Sequence, residues 1–403
     1  MDLPPIENPK PGRRTRARRR AAAGIAIILT AAACGSNPST ATIPVTTVTS
    51  ATTTTVGDIT TTSGVTTTVV SPLPGTGVLA CQISDFGGTD DASINQAAWA
   101  GMERAALELG VTTAFLPSND TANYSRNIET FIEQGCDLIV TTGPLLAYDT
   151  ATAAREHPDQ LFAIIDYPVG PFDPWGEPPV DNVRGLTFQS DEAAFLAGYL
   201  AAGMSATHVL GTFGGVNIPP VTIYMEGFRQ GALHYDGVHG TATTLEGWNG
   251  IDGLFTADFT SQDKGHEFAQ DLILARADII LPVADRAGEG ACRAANEANA
   301  TGATVSVIGI HWDWYLSAPD CSGVLLTSIL KNFDVAVFKT IQNIVVVGAL
   351  GTEYVGTLEN GGVGLAPFHD LESAVPAELA AELAQLQADI ISGAVLVNPP
   401  TGG

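Results

Sequence analysis

Carboxylates and carboxamides gather just after the first apolar strand of the folded region. The stretch Ser84-Asp85-Phe86-Gly87-Gly88-Thr89-Asp90-Asp91-Ala92-Ser93-Ile94-Asn95-Gln96 brings three aspartates, two serines and an asparagine into one loop and helix start. The paired glycines permit a tight loop, and Asp90, Asp91 or Ser93 can cap the helix that follows. The first N–H groups of that helix are then free for an electronegative ligand atom. Phosphate fits poorly here. Neither a GxGxxG run nor a P-loop lysine is present, and three carboxylates repel a phosphate but accept from hydroxyl or amine donors. Capping alone also accounts for Asp90 and Asp91, so both readings stay open at this point.

Other strand ends add Gly143, Asp166, Asp285, His311, Asp313 and Lys331 as candidate ligand contacts. In extended geometry the run His311-Trp312-Asp313-Trp314-Tyr315 puts both indoles on one face and His311, Asp313 and Tyr315 on the other. One of the two tryptophans is expected to pack in the core. His311 reads as a ligand-binding neutral imidazole or as a polar residue closing a strand, and His266 as an exposed side chain. Lys331 is expected near a crossing between lobes, contacting ligand or pairing with Asp85. There is no Ser-His-Asp elbow, no CxxC pair and no His-containing metal spacing. The expectation is therefore binding without catalytic residues, metal or cofactor.

The elements that must position these residues alternate in type. Apolar strands at Val78–Ile83, Thr113–Leu116, Leu138–Thr141 and Phe162–Ile165 lie between helical segments at 94–109, 123–134, 147–156 and 191–203. A second series follows, with strands at His208–Phe213, 241–246, Asp278–Val283 and Val305–Ile310. Its helices fall at Thr222–Tyr235, Ser261–Ala275 and Gly288–Ala298, and a last helix spans Ala374–Ile391. Short continuous apolar strands between helices indicate parallel sheets covered on both faces, with ligands beyond the strand carboxyl ends. Two such runs predict an α/β bilobal protein of two doubly wound lobes. The lobes are expected as 77–188 plus 324–352 and 189–322 plus 353–395, with crossings near 187–191, 316–324 and 352–360.

The amino terminus is not part of that fold. A basic stretch at 11–20 precedes an apolar run from Ala21 to Ala33, 13 residues that suit a signal-peptide core and are too short to span a bilayer. It ends Thr30-Ala31-Ala32-Ala33-Cys34-Gly35, similar to a lipobox, so 1–33 is expected to be removed and Cys34 lipidated. Residues 34–76, rich in Thr, Ser and Pro, are expected to form a disordered tether. Beyond residue 33 the chain has 11 basic against 41 acidic residues, about −30, which disfavours nucleic acid and anionic lipid headgroups as partners. Four further cysteines in an exported chain indicate disulfides. Of three connectivities, Cys81–Cys136 and Cys292–Cys321 keep each bridge within one lobe.

Over residues 77–366 the chain resembles the basic membrane lipoprotein family of ABC-transporter substrate-binding proteins, which have a type I periplasmic-binding-protein fold. The resemblance rests on ordered motifs: Ser84–Gln96, Gln134-Gly135-Cys136-Asp137-Leu138-Ile139, Phe162–Asp166, Glu192–Tyr199, Gly214–Pro219, Asp263-Lys264-Gly265, Leu326–Lys331 and Gly361–Leu365. It implies a purine-nucleoside-like ligand, no enzymatic activity, no cofactor, and a membrane permease as partner. It also implies a monomer held by lipid at the outer face of the cell membrane. Asp85, Asn95 and Lys331 keep the identities the resemblance implies. Ile94 and Leu281 stand where it implies stacking aromatics, and His311 where it implies an aspartate. Two missing rings would remove about 1 kcal/mol each, for which Trp312 or Trp314 could substitute. A lipid-anchored sensor and a nucleoside hydrolase using metal-bound water remain alternatives.

Overall fold

The computed structural model describes residues 45–56, 59–70, 72–85, 88–90, 94–169, 180–351 and 353–397. The expected signal peptide, Cys34 as the expected lipidation site, and Asp91 lie outside the described residues. Within the expected tether, β1 (Val45–Val56) pairs antiparallel with β2 (Ile59–Val70), Val45 opposite Val70 and Val56 opposite Ile59. This corrects the expectation of a wholly disordered segment. Threonine and valine favour extended backbone, and a near-uniform run of them can pair with itself.

The chain then builds two sheets in turn. It runs through β3 (Leu79–Ile83), α1 (Ile94–Leu109), β4 (Thr112–Leu116), α2 (Tyr124–Gln134), β5 (Leu138–Thr142), α3 (Ala147–Glu156), β6 (Leu161–Ile165) and β7 (Val183–Phe188). Next come α4 (Ser190–Met204), β8 (Val209–Gly214), α5 (Pro219–His239), β9 (Thr244–Glu246), α6 (Gln262–Leu274) and β10 (Ile279–Val283). Two short helices, α7 (Asp285–Gly288) and α9 (Trp314–Ser317), flank α8 (Gly290–Ala300) and β11 (Ser306–His311). The chain ends through β12 (Leu325–Lys331), α10 (Phe333–Val347), β13 (Tyr354–Gly356), β14 (Val363–Leu365) and α11 (Ala377–Ile391). The first sheet has the order β13-β7-β6-β5-β3-β4 and is parallel throughout. The second has the order β14-β12-β11-β10-β8-β9, with only the β12–β14 pair antiparallel.

Central strands such as β5 and β10 are buried along their whole length, as parallel strands between helix layers must be. On α11 the buried residues Leu379, Leu383, Leu386 and Ile390 recur at helical spacing, which lays that helix on α4. Helices α4 and α5 meet backbone to backbone: a Cβ on Gly198 would stand 2.0 Å from the carbonyl oxygen of Phe228, and one on Gly231 1.9 Å from that of Phe195. Only glycine permits that approach. Each sheet also carries one disulfide, Cys81–Cys136 beside the β3–β5 pair and Cys292–Cys321 behind β11, with Cα separations of 6.1 and 5.0 Å. These are the pairings chosen from the sequence.

The chain changes sheets three times, and the lobe boundaries differ from those expected. The first passage is from β7 into α4, around Gln189. The second falls at Asn332, because β12 pairs with β11 in the second sheet whereas α10 packs on α1 of the first. The expected passage at 316–324 is therefore too early. The third runs from β13, which pairs with β7, to β14, which pairs with β12, so residues 354–356 belong to the first lobe. Strand membership depends on partners distant in sequence, which an apolar run does not specify. The three passages are laced together: Gln189 N–H donates to Gly356 O at 2.8 Å, Asn332 N–H to Gly362 O at 2.9 Å and Leu358 N–H to Glu192 Oε2 at 2.8 Å.

Candidate ligand-binding site

At the carboxyl end of β3, the buried Asn95 opens α1 and ties three elements together. Its Nδ2 donates to Asp85 Oδ1 at 2.9 Å, its carbonyl accepts from Gln82 Nε2 at 2.9 Å, and Thr142 at the end of β5 donates to its Oδ1. Gly143 follows Thr142 with φ 89, and a Cβ there would stand 3.2 Å from Asp85 Oδ2. A side chain would crowd the carboxylate, so glycine keeps the loop close to it. Buried Tyr124 lies within the field of Asp85; burial first, then that charge, pushes its hydroxyl up to about 12. Tyr124 therefore stays a neutral phenol beside an aspartate.

A second cluster forms where the two sheets face each other. Lys331 ends β12 with its side chain only 2% exposed, and its Nζ donates to both oxygens of Asp166, at 2.8 and 2.7 Å. Asp166 closes β6 in the first sheet, so this ion pair joins the lobes. The expected pairing of Lys331 with Asp85 is thereby corrected: β6, not β3, brings its carboxylate to the crossing. The rings of Tyr224, Phe188 and Phe333 surround the ammonium at 5.3, 5.6 and 5.7 Å from their centroids, within cation–π range. Tyr224 is fully buried; that burial, then the charges of Asp166 and Asp285, raise its pKa well above the ordinary value. Its hydroxyl faces that of Ser190 without closing a good hydrogen bond.

Asp285 and His311 complete the second cluster. His311 Nδ1 lies 2.8 Å from Asp285 Oδ1, at an angle too poor for a hydrogen bond, and the imidazole packs edge-on against Tyr224 and Phe333. Asp166, Asp285 and His311 all take φ values of 61, 45 and 66, a left-handed conformation unusual for residues with side chains. Each stands just at or beyond a strand end. The backbone is bent there to turn a polar side chain across the sheet edge, where a doubly wound fold binds its ligand.

Other sequence candidates fall elsewhere. Leu281 sits in the middle of β10 and is fully buried, its carbonyl accepting from Thr212 Oγ1 at 2.8 Å, so it does not reach the strand ends. Asp313 caps α9, accepting from Tyr315 N–H at 3.1 Å, and its other oxygen lies 2.7 Å from His369 Nε2. His369 stacks on Tyr315 at 4.0 Å, so this aspartate pins the segment after β14. The strand stops at His311, which removes the expected extended alternation of the indoles. Trp314 is buried over Gly288 and Gly309, while Trp312 is only partly buried. Ile94 is partly buried at the start of α1, Asp90 is exposed, and His266 pairs with Glu297 at 2.8 Å instead of standing free in solvent. Phe188, Tyr224 and Phe333 were not picked out by sequence reasoning. Phe188 and Phe333 flank two passages between sheets, a signal that was legible; Tyr224 comes from a helix face and was not. Among the described residues, the only metal-capable group is Glu129, Glu156 and His157, within 4.8 Å of one another on the outer helices α2 and α3, away from these strand ends.

Two parallel-dominated sheets joined by three passages, with polar groups at facing strand ends, define a type I solute-binding architecture. The chain belongs to the ABC transporter substrate-binding protein PnrA-like family, whose profile matches residues 80–399. It is 27% identical over 328 residues to the ABC transporter nucleoside-binding protein BmpA of Lactococcus lactis, covering 78% of this chain and 87% of that one. Basic membrane protein A of Borreliella burgdorferi is 29% identical over 243 residues, covering 60% of this chain and 65% of that one. Among solved structures, an ABC transporter solute-binding protein from Aeropyrum pernix superposes with a TM-score of 0.67 at 25% identity, covering 80% of this chain and 94% of the other. One from Conexibacter woesei, at 23% identity, TM-score 0.61 and coverage of 79% and 98%, supports the fold. Family membership makes the chain a small-molecule-binding component that works with a permease and not an enzyme. No helix among the described residues is long and apolar enough to cross a membrane.

Proposed function

We propose that the chain is an extracytoplasmic, lipid-anchored receptor of an ABC importer that captures a nucleoside-like solute between its lobes by closing over it. The observation that carries this reading is the Asp166–Lys331 pair, which joins facing strand ends of the two sheets beside Asp285 and His311. Carboxylates and an imidazole there accept from ligand hydroxyls, while Asp85 and Asn95 offer a second polar group after β3. The hydroxyl-rich half of a nucleoside fits such acceptors. Base stacking is the weaker half of the reading, because Leu281 lies in the core and Ile94 is aliphatic. Closure follows from differential affinity: the ligand favours the arrangement in which both lobes touch it, and the three passages absorb the rotation. Lipid attachment at Cys34 keeps the receptor beside its permease.

Thermal unfolding of the purified protein against purine nucleosides, free bases, pentoses and polyols tests the ligand. A ligand that binds only the folded form stabilises by about 2.7 kcal/mol at one hundred times Kd. Nucleosides are expected to raise Tm, with Lys331→Ala and Asp285→Asn abolishing the shift. A shift with polyols alone would discard the nucleoside, and no shift with any small polar solute would sink the proposed site.

A further inference from the structure

Away from the strand ends, α10 runs beside the β13–β7 edge of the first sheet and leaves an open groove of about 530 Å³. Arg184, Tyr354 and Lys339 line it, with Val335, Val346 and Val347 supplying apolar wall. Lys339, Asn343 and Val346 follow one another at spacings of four and three, so one face of α10 forms a wall.

Two buried polar atoms beside this groove, on Arg184 and Tyr354, have no hydrogen-bond partner. Arg184, near the start of β7, is partly buried; its Nη1 donates to Thr340 Oγ1 at 3.3 Å, and its buried Nε has no hydrogen-bond partner. No carboxylate among the described residues pairs with it, and burial lowers its pKa from the usual arginine value. Tyr354 is only 9% exposed, yet its buried hydroxyl is also without a partner. Lys339 makes a single long contact, 3.4 Å to Gln342 Oε1. Asp334 is the carboxylate whose charge acts on Tyr354, but no ion pair joins it to Arg184 or Lys339. Five cations elsewhere in this acidic chain are paired with a carboxylate: Arg104 with Glu108, Arg229 with Glu226, Lys264 with Asp258, Arg293 with Asp263 and Lys331 with Asp166. A partly buried guanidinium with an unsatisfied Nε, beside an unsatisfied buried hydroxyl, is a costly arrangement, and the exposed Lys339 adds a second positive charge next to it.

We propose that this groove is a second binding site that takes the oxyanion, phosphate or carboxylate, of a small soluble molecule. Arg184, which lines the groove, offers its remaining Nη donors, and Lys339 adds a mobile charge. The buried Arg184 Nε and Tyr354 hydroxyl lie behind them and reach the oxyanion only if these side chains shift on binding. The three valines cover the apolar part of the ligand. The third passage between sheets starts at β13, so Tyr354 stands two residues from a hinge.

Calorimetric titration of the purified full-length protein with inorganic phosphate and, separately, succinate, at constant ionic strength, tests the site. Saturable binding of at least one is expected, weakened more than about tenfold by Arg184→Gln and roughly threefold or more by Lys339→Gln. The nucleoside-induced melting shift should survive Lys339→Gln, which separates this site from the one between the lobes. Lys339 is exposed, so its variant keeps the fold and decides the matter even if Arg184→Gln misfolds. Absence of saturable binding by either anion, or unchanged affinity in Lys339→Gln, overturns the proposal.

Discussion

Lys331 and Arg184 are both cations withdrawn from solvent in a strongly acidic protein, and their surroundings differ in one respect. Lys331 sits where two sheets converge, so a carboxylate from the other lobe meets it at 2.7 Å. Arg184 sits on the flank of one sheet, where α10 offers only the Thr340 hydroxyl and no carboxylate pairs with it among the described residues. Burial therefore carries opposite meanings at the two positions. At the crossing, a charge is held by its counter-charge and the pair is part of the fold. On the flank, a charge is held by the scaffold and waits for a partner.

The largest effect expected from this contrast is at the crossing. Lys331→Ala leaves Asp166 uncompensated and should cost about 3–5 kcal/mol in urea unfolding. Combining Lys331→Met with Asp166→Asn should recover much of that loss, because removing both charges also removes their desolvation. If the double variant is no better than the single one, the pair is not what holds the crossing.

A partly buried case lies between the extremes. Glu226 receives both Arg229 donors, at 2.9 and 2.7 Å, along with Gln230 and Trp248. Burial alone would raise its pKa, but these hydrogen bonds outweigh it and hold the carboxyl below its ordinary 4.5. Glu226→Gln should cost about 2 kcal/mol at neutral pH. A depressed carboxylate stabilises the fold above its unfolded pKa and loses that contribution as pH falls through the folded value. The gap between wild type and variant should accordingly shrink as pH drops below about 4.5. A gap independent of pH would show that charge has no part in it.

Smaller effects test the other side. Arg184→Gln should change stability by less than about 1 kcal/mol, in the stabilising direction, since it removes a desolvated charge with no carboxylate to lose. A large loss there would mean the guanidinium is already satisfied. Arg293→Ala, whose partner Asp263 is 84% exposed, should fall within about 0.5 kcal/mol of wild type.

Much of the fold was legible because its signal is local. Apolar runs of five or six residues between amphipathic stretches mark parallel strands, and α6, α8 and α11 begin and end within a few residues of expectation. The disulfides were legible once Cys81 and Cys136 were assigned to neighbouring strands. Lobe boundaries after residue 316 were not, because β12 reads the same whichever sheet accepts it. Within the candidate site, the polar residues at strand ends are legible as such, whereas that Leu281 sits in the core and Asp313 at a helix cap is not. One residue of register decides whether a strand position faces the core, and a helix cap looks like a ligand contact until the N–H that donates to it is seen.

By itself, then, the sequence determined the alternating α/β architecture, the acidic charge balance and the family, since these follow from composition, period and ordered motifs, and it favoured one of three cysteine pairings that the structure then showed. Only the tertiary structure decided which carboxylate meets Lys331, which rings enclose it, and that Arg184 and Tyr354 share a groove without partners. Those facts rest on contacts such as that between residues 166 and 331, joined by the meeting of two sheets that no local pattern along the chain encodes.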